Sequence, residues 1–163
     1  MTTPRTFTTT VSAIGQVHSP RTEPLDDDWG DVVSTIVLDA TQFTPDVLAG
    51  IDEFSHIDVV YLFDRVDPSK INLGSRHPRN RDDWPLVGIF AQRAKARPNR
   101  LGVTTCELVA VTDLTLTVRG LDAIDATPVL DIKPHVIEFQ ARTAVHQPDW
   151  IGELMSDYWQ VST

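Results

Sequence analysis

The sequence is poor in cysteine and contains no long apolar run. Its single cysteine, Cys106, cannot form a disulfide within the chain, and one thiol is too few for a cysteine-based zinc site. The longest apolar run covers residues 59–63, whereas a membrane-spanning helix needs about 20 residues. A basic stretch followed by an apolar stretch is missing near Met1, so we expect no signal peptide. These absences predict a soluble, cytoplasmic protein.

The motifs of common cofactor and metal sites are missing as well. The sequence contains no glycine-rich strand–turn–helix segment and no phosphate-loop pattern. No Gly-x-Ser-x-Gly motif surrounds Ser55, so we interpret its neighbour His56 as a structural histidine. The histidines lack the spacing of metal ligands, and we therefore expect no metal site; they are His18, His56, His77, His135 and His146.

Positive charge is scarce in the chain as a whole and concentrated in one window. The 163 residues include 14 Lys and Arg against 23 Asp and Glu, a net charge of −9, which argues against a nucleic-acid partner. Residues 76–100 hold seven basic and two acidic side chains, so this window carries +5 and the remainder carries −14. Two interpretations stay open: a solvated arginine-rich loop, or a site for an anion, because salt screens charges over about 8 Å.

Short segments rich in β-branched residues predict a mainly β fold. The expected strands, separated by proline and glycine turns, cover residues 8–17, 32–38, 57–63, 87–91, 102–111, 114–119 and 128–132. A short helix is expected over residues 45–49, and residues 67–85 form a long irregular segment. This pattern predicts a small closed or nearly closed β-barrel in a single domain over residues 1–163, with its core at about 8–136.

The C-terminal part differs from the predicted barrel. Apolar side chains recur at helical spacing, which predicts an amphipathic helix over about residues 148–160; they are Trp150, Ile151, Leu154, Met155, Tyr158 and Trp159. This helix packs either on the barrel or on a second subunit, because Trp and Tyr are common in both settings.

Five motifs in chain order carry a resemblance to a known family. They are residues 14–20 (IGQVHSP), 54–56 (FSH), 88–93 (GIFAQR), 97–102 (RPNRLG) and 127–134 (TPVLDIKP). Over roughly residues 14–135 the chain closely resembles the TrmO family, also called TsaA-like or YaeB-like proteins. The resemblance implies an S-adenosylmethionine-dependent methyltransferase built on a small β-barrel. It further implies a homodimer with the cofactor near the subunit junction. The implied substrate is threonylcarbamoyl-adenosine beside the tRNA anticodon, methylated on the exocyclic N6.

The resemblance also assigns roles to individual positions. The implied cofactor contacts are Asp64, Arg65, Phe90, Arg93, Leu101 and the turn Asp122, Ala123, Ile124 and Asp125. Acids would meet the cofactor's ammonium group, arginine its carboxylate, and apolar side chains its adenine. The candidates for catalysis around the methyl acceptor are Arg97, Asn99, Asp131 and Lys133. The candidates for binding RNA, within the basic window 76–100 and after the last strand, are Arg76, Arg79, Arg81 and His135.

The chain departs from the family pattern on the acceptor side. Asp58 stands where the family usually has Trp, His135 where a Tyr often follows Lys-Pro, and Ala126 where a Gly is common. Residues 76–84 replace the usual Pro-Pro-Arg-Leu-Gly-Gly-type loop. Two alternatives therefore stay open beside the tRNA enzyme. One is a protein of the same fold that methylates a small molecule or another RNA, and the other is a non-catalytic S-adenosylmethionine-binding module.

Overall fold

An antiparallel barrel of six strands forms the centre of the computed structural model, which describes residues 7–161. Residues 1–6 and 162–163, the two ends of the predicted domain, lie outside the described residues. The residues near Met1, on which the signal-peptide prediction rests, belong to this group. The strands are β1 (Gly15–His18), β2 (Val33–Leu38), β3 (His56–Leu62), β4 (Ser75–Arg76), β5 (Val87–Gly88), β6 (Leu101–Thr112), β7 (Thr115–Arg119) and β8 (Pro128–Pro134).

The barrel closes in the order β1-β2-β7-β6-β3-β8, and β8 pairs back onto β1. Every pair in the barrel is antiparallel, while β4 and β5 form a separate two-stranded sheet. The mainly β fold and the closed barrel are thus confirmed. The connections contain short 3-10 helices at Pro45–Leu48, Ile51–Glu53, Pro68–Lys70, Pro78–Asn80, Ile89–Ala91 and Ile137–Phe139. No helix within residues 7–161 is both long enough and apolar enough to cross a bilayer.

The alternation of side chains along the strands separates the core from the outer surface. On β3, Ile57, Val59 and Tyr61 point into the barrel and are buried, while Asp58 and Val60 face outward and are only partly covered. The inward side chains of the other strands complete the core; among them are Val17, Ile36, Leu116, Val118 and Val129. Each such side chain stabilises the fold by about 1.5–3 kcal/mol relative to an exposed position.

Cys106 belongs to the same core and is 2% exposed, as its position in an apolar strand predicts. Burial, with smaller contributions from the charges of Asp122 and Asp58, raises the pKa of its thiol to about 12. The thiol therefore stays protonated and behaves as a small apolar side chain.

The first predicted strand is too long. Residues 8–17 are expected to be extended throughout, but β1 comprises only Gly15–His18. Pairing begins at Ile14, whose backbone N–H donates to the Val129 carbonyl, and the described residues before it are exposed and pair with no strand. β-branched composition favours a strand only where a neighbouring strand is available, which explains the error.

The strand predicted over residues 87–91 is also wrong in its second half. β5 ends at Gly88, and Ile89–Ala91 forms a 3-10 turn. The buried Gln92 holds this turn, because its side-chain amide donates to the carbonyls of Arg76 at 2.9 Å and Val87 at 3.0 Å. Phe90 is consequently carried out to the surface, where it is 79% exposed.

The C-terminal helix is shorter than its apolar spacing predicts. An α-helix, α1, covers only Asp149–Leu154, and the chain then turns back against the barrel. The backbone N–H groups of Asp28, Trp29 and Gly30 donate to the carbonyls of Asp157, Tyr158 and Gln160. Gly30 permits this approach, since a Cβ there would overlap the Trp159 carbonyl oxygen. These tertiary hydrogen bonds replace the last helical turns and hold the segment against its own barrel.

Candidate functional site

Three hydroxyl groups converge on the carboxylate of Asp122 at one end of the barrel. Tyr61 donates to Oδ1 at 2.7 Å, Thr104 donates to the same oxygen, and Tyr158 donates to Oδ2 at 2.5 Å. The ring of Tyr61 lies against Gly102, where any Cβ would overlap it, and this close packing brings its hydroxyl to Asp122. We call Asp122, Tyr61, Thr104 and Tyr158 the Asp122 cluster. It ties strands β3 and β6 and the C-terminal segment to the turn after β7.

The hydroxyls of the Asp122 cluster are permanent donors. Burial, reinforced by the negative charge of Asp122, raises the pKa of Tyr61 and of Tyr158 far above the usual tyrosine range. The positive charge of Arg93 opposes this rise at Tyr158, so the guanidinium lies within electrostatic reach of the cluster. The arrangement fixes the Asp122 turn instead of supplying a titratable group.

Most predicted cofactor contacts on the loops meet at the same barrel end. The Arg65 guanidinium donates to the Asp125 carbonyl at 2.9 Å and to the Thr22 carbonyl at 3.1 Å. The Asp125 carboxylate accepts a hydrogen bond from the Ser19 backbone N–H at 3.1 Å. Ala123 is buried and Ile124 half-buried within this turn, while Asp64 stands exposed beside Arg65. The structure therefore brings together Asp64, Arg65 and the turn 122–125.

Two other predicted cofactor contacts, Arg93 and Leu101, lie on the outer side of β6 at that end. Arg93 donates to the Val103 carbonyl, and Leu101, which pairs with Leu62 just before Asp64, is 40% exposed. An exposed guanidinium next to exposed apolar side chains can bind a carboxylate and cover an aromatic ring at the same time. Phe90 is exposed three residues before Arg93.

The predicted catalytic residues fall into two separate places. Asp131 and Lys133 form an ion pair on the outer face of β8, where Asp131 lies opposite Val60 of β3. Arg97 and Asn99 belong to the turn before β6, and Arg97 donates to the Gln92 carbonyl at 3.0 Å. Strand β3 lies between β8 and β6. The turn that contains Arg97 and Asn99 and the Asp131–Lys133 pair therefore lie on opposite sides of β3.

Two of the arginines predicted to bind RNA are already paired with acids. Arg79 contacts Asp27 through two hydrogen bonds of 3.0 and 2.6 Å, with Asp26 at 3.6 Å. Arg81 pairs with Asp83 and stacks at 4.1 Å on Trp84. Arg76 donates to the Asn80 side chain at 2.9 Å. The basic window is therefore partly neutralised within the chain.

The later arginines of the window differ, because their partners are uncharged. Arg93, Arg97 and Arg100 donate to the backbone carbonyls of Val103, Gln92 and Val66. A carbonyl carries no net charge, so these guanidinium groups can still bind an anionic ligand. The positive charge of the window that no acidic side chain neutralises is therefore concentrated at residues 93–100, while both interpretations of the window stay predictions.

The last predicted RNA contact, His135, lies in a partly buried polar pair that sequence reasoning missed. Its Nδ1 lies 3.0 and 3.2 Å from the two carboxylate oxygens of Asp58, and the Thr105 hydroxyl donates to Asp58 at 2.5 Å. One signal was available, since Asp58 is the single charged residue inside the apolar run of β3. No comparable feature of the sequence predicts the Asp122 cluster.

Within residues 7–161, no group of three or more His, Cys, Asp or Glu side chains is arranged to hold a metal ion.

Fold and site together define a class of protein. It is a small closed antiparallel barrel that gathers acidic, basic and apolar side chains at one end, in place of a doubly wound sheet with a phosphate-binding loop. Within that class, the sequence profile of the tRNA-methyltransferase O N-terminal domain matches residues 17–141. The chain belongs to this family.

Individual relatives agree with the family assignment. Over 135 residues the chain is 36% identical to a Pyrococcus abyssi protein named as a probable S-adenosyl-L-methionine-binding protein, covering 81% of this chain and 71% of that one. It is 33% identical over 94 residues to the mouse tRNA (adenine(37)-N6)-methyltransferase, covering 58% of this chain and 21% of the mouse enzyme. The crystal structure of TrmO from Pseudomonas aeruginosa superimposes with a TM-score of 0.72 at 26% identity, covering 90% of this chain and 63% of that one.

Proposed function

We propose that this protein is an S-adenosylmethionine-dependent methyltransferase that methylates the N6 of an adenosine in tRNA. The observation that carries the proposal is the contact of Arg65 with Asp125 in the turn 122–125, at one barrel end. On the neighbouring strand β6, Leu101 pairs with Leu62, two residues before Asp64, and the Val103 carbonyl accepts from Arg93. The family resemblance assigns to the cofactor Asp64, Arg65, Arg93, Leu101 and the turn 122–125. The mouse relative is named for the same reaction.

The residues present fit the cofactor chemically. S-adenosylmethionine carries an ammonium group, a carboxylate and an adenine, and it supplies an electrophilic methyl group when bound. Asp64 offers an exposed carboxylate and Arg93 an exposed guanidinium, of which one N–H group is used by the Val103 carbonyl. Leu101 and Phe90 offer exposed apolar surface for the adenine. Since both oxygens of Asp122 accept hydroxyl hydrogen bonds, Asp122 serves mainly to hold its turn in shape.

The acceptor proposed first is threonylcarbamoyl-adenosine in tRNA, approached through the uncompensated arginines of residues 93–100. A second candidate keeps the cofactor and changes the acceptor to a small molecule or another RNA. The ion pairs of Arg79 and Arg81 favour this second candidate, because they remove two charges from the surface that would meet phosphates. The homodimer implied by the family resemblance stays a prediction.

One experiment separates the candidates. Labelled methyl groups would be followed into tRNA from cells that lack this enzyme, into total RNA, and into a small-molecule extract. Label in the tRNA adenosine supports the first acceptor, and label only in another fraction supports the second. Binding of the cofactor without methyl transfer to any fraction would show that the protein is a non-catalytic binding module and not an enzyme.

The cofactor half of the proposal is tested at Arg93. Replacing it with alanine removes the charge-assisted hydrogen bonds to the cofactor carboxylate, so calorimetry should show binding weakened by about 1.5–3 kcal/mol. The matched control is Arg142→Ala, which changes an exposed arginine outside the family match. Equal affinities of the Arg93 variant and the parent protein would remove Arg93 from the site.

A further inference from the structure

A chain of three polar side chains crosses the outer face of the barrel. The Thr105 hydroxyl of β6 donates to Asp58 of β3, and Asp58 accepts in turn from His135, just beyond the end of β8. The strand register sets up this chain, because Asp58 lies opposite Thr105 on one side and opposite Lys133 on the other. The His135 backbone N–H also donates to the His56 carbonyl at 3.0 Å, which fixes the position of the ring.

Stability alone does not explain why Asp58 and His135 are partly buried. The side chains of Asp58 and His135 are only 29% and 24% exposed. Covering a carboxylate and an imidazole costs desolvation energy, and apolar side chains of the same shape often stabilise a protein as well or better. The outer face already offers apolar neighbours at Val60 and Val103. Polar pairs retained under such conditions are frequent at functional sites.

The geometry leaves one nitrogen of His135 able to accept a proton. Because Asp58 only accepts hydrogen bonds when it is ionised, the ring hydrogen lies on Nδ1, and Nε2 carries the free lone pair. The amide nitrogen of Gln140 lies 3.2 Å from Nε2 and donates to it. Gln140 is exposed, so an incoming ligand can displace its side chain.

The pair lies on the same outer face as two of the predicted cofactor contacts, Arg93 and Leu101. Thr105 follows Val103, the residue bound by Arg93, by two positions on β6, a separation of about 7 Å along the strand. Leu101 lies a further two residues toward the barrel end on that face. Leu101 is thus about 13 Å along β6 from Thr105, and His135 lies across β3 from that strand, so an acceptor bound beside Arg93 has to extend along this face to reach His135.

We propose that His135 is the catalytic proton acceptor of the methyl transfer and that Asp58, supported by Thr105, is its positioning residue. The inference rests on the proposed function. In the step, the acceptor nitrogen uses its lone pair to form the new N–C bond, and the electrons of the broken C–S bond remain on sulfur. His135 Nε2 takes the proton that the nitrogen loses, and the adjacent Asp58 carboxylate stabilises the resulting imidazolium.

Other charged groups surround the pair, and they bear on its pH response. They are Lys133 and Asp131 on β8, which neutralise each other, His56 on β3, Glu107 on β6 with its partner Arg119 on β7, and Glu138 in the turn after β8. Because a protonated Nε2 cannot accept the proton of the acceptor nitrogen, methyl transfer should fall as the pH decreases.

The test compares two variants of the pair with two matched controls. His135→Gln keeps a polar side chain without a titrating nitrogen, and Asp58→Asn keeps the shape without the charge. The controls are His146→Gln and Asp52→Asn, both at exposed positions. Single-turnover methyl transfer is measured from pH 5.5 to 8.5 with the acceptor that the parent protein methylates, S-adenosylhomocysteine affinity is measured by calorimetry, and thermal unfolding confirms that each variant is folded.

We expect His135→Gln to slow transfer by about 100-fold or more and to abolish the acid limb of the pH profile. Asp58→Asn should slow transfer by about tenfold and displace that limb, while cofactor affinity changes less than twofold in both variants and the controls resemble the parent protein. A His135→Gln rate within threefold of the parent at every pH overturns the inference and leaves the proposed function standing. A parent protein that transfers methyl to no acceptor overturns both.

Discussion

The two polar groups built on strand β3 differ in what their surroundings allow them to do. Tyr61 points inward and belongs to the Asp122 cluster, whereas Asp58, three residues earlier, points outward and holds His135. Opposite faces of one strand thus carry a sealed cluster and a partly exposed pair. This small barrel thus keeps the rigid support of the predicted cofactor turn on one face of β3 and a polar pair open to solvent on the other.

The chemistry of each group follows from its burial. Inside, burial and the charge of Asp122 raise the pKa of both tyrosines so far that they remain donors in all ordinary buffers. Outside, the imidazole of His135 keeps about a quarter of its surface in contact with solvent. The following variants test this contrast between the buried Asp122 cluster and the partly exposed Asp58–His135 pair.

Removing the carboxylate of Asp122 should have the largest effect on stability. Asp122→Ala leaves the hydroxyls of Tyr61, Thr104 and Tyr158 without their shared acceptor, which should lower the free energy of unfolding by about 2–4 kcal/mol. Urea denaturation followed by tryptophan fluorescence measures the change. Asp52→Ala, at an exposed position, is the control. A loss below about 1 kcal/mol in the free energy of unfolding would show that the Asp122 cluster does not hold its turn rigidly.

The contrast also marks what sequence patterns can predict. Segments rich in β-branched residues were enough to predict the barrel and most of its strands. The ordered motifs grouped Arg65 with the turn 122–125, and the structure brings the two into contact. The Asp122 cluster was out of reach, because Tyr61 and Asp122 stand 61 residues apart and Asp122 and Tyr158 stand 36 apart. No local pattern records which hydroxyl meets which carboxylate.

Charge counts are limited for the same physical reason. The +5 of residues 76–100 overstates the charge available to a ligand, because Arg79 is paired with Asp27, which stands 52 residues away. The C-terminal helix was predicted from its apolar period, but backbone hydrogen bonds to residues 28–30 end it early. In each case a contact distant in sequence outweighed a local preference.

The buried thiol of Cys106 and the buried tyrosine hydroxyls should make the free energy of unfolding fall at alkaline pH. In the folded protein burial raises the pKa of Cys106 to about 12 and those of both tyrosines far higher. The unfolded chain releases these protons above about pH 8.5–10. The unfolded state then binds fewer protons than the folded one, so the free energy of unfolding decreases as pH rises, by up to about 1.4 kcal/mol per pH unit for each group.

Urea midpoints between pH 8 and pH 11 measure this loss. Tyr61→Phe removes one sealed titrating group, so its stability should decline less steeply with pH than that of the parent protein. His135→Gln alters only the outer pair and should keep the alkaline slope of the parent. Identical slopes in all three proteins would mean that the interior hydroxyls titrate normally, and the contrast between the two faces would be lost.

The smallest effect is expected at Ala126, directly after the turn 122–125. Its φ of 68° lies in the left-handed region, where a Cβ costs roughly 1–2 kcal/mol. Glycine has no such penalty but loses about 0.5–1 kcal/mol through greater freedom of the unfolded chain, so Ala126→Gly should raise the free energy of unfolding by about 0.5–1 kcal/mol in urea titrations. Gly120→Ala, at a φ of 77°, should change stability in the opposite direction. Because this relief acts on the predicted cofactor turn alone, the pH profile that we propose for His135 should stay unchanged, and a shifted profile would show that the two faces of the barrel are coupled.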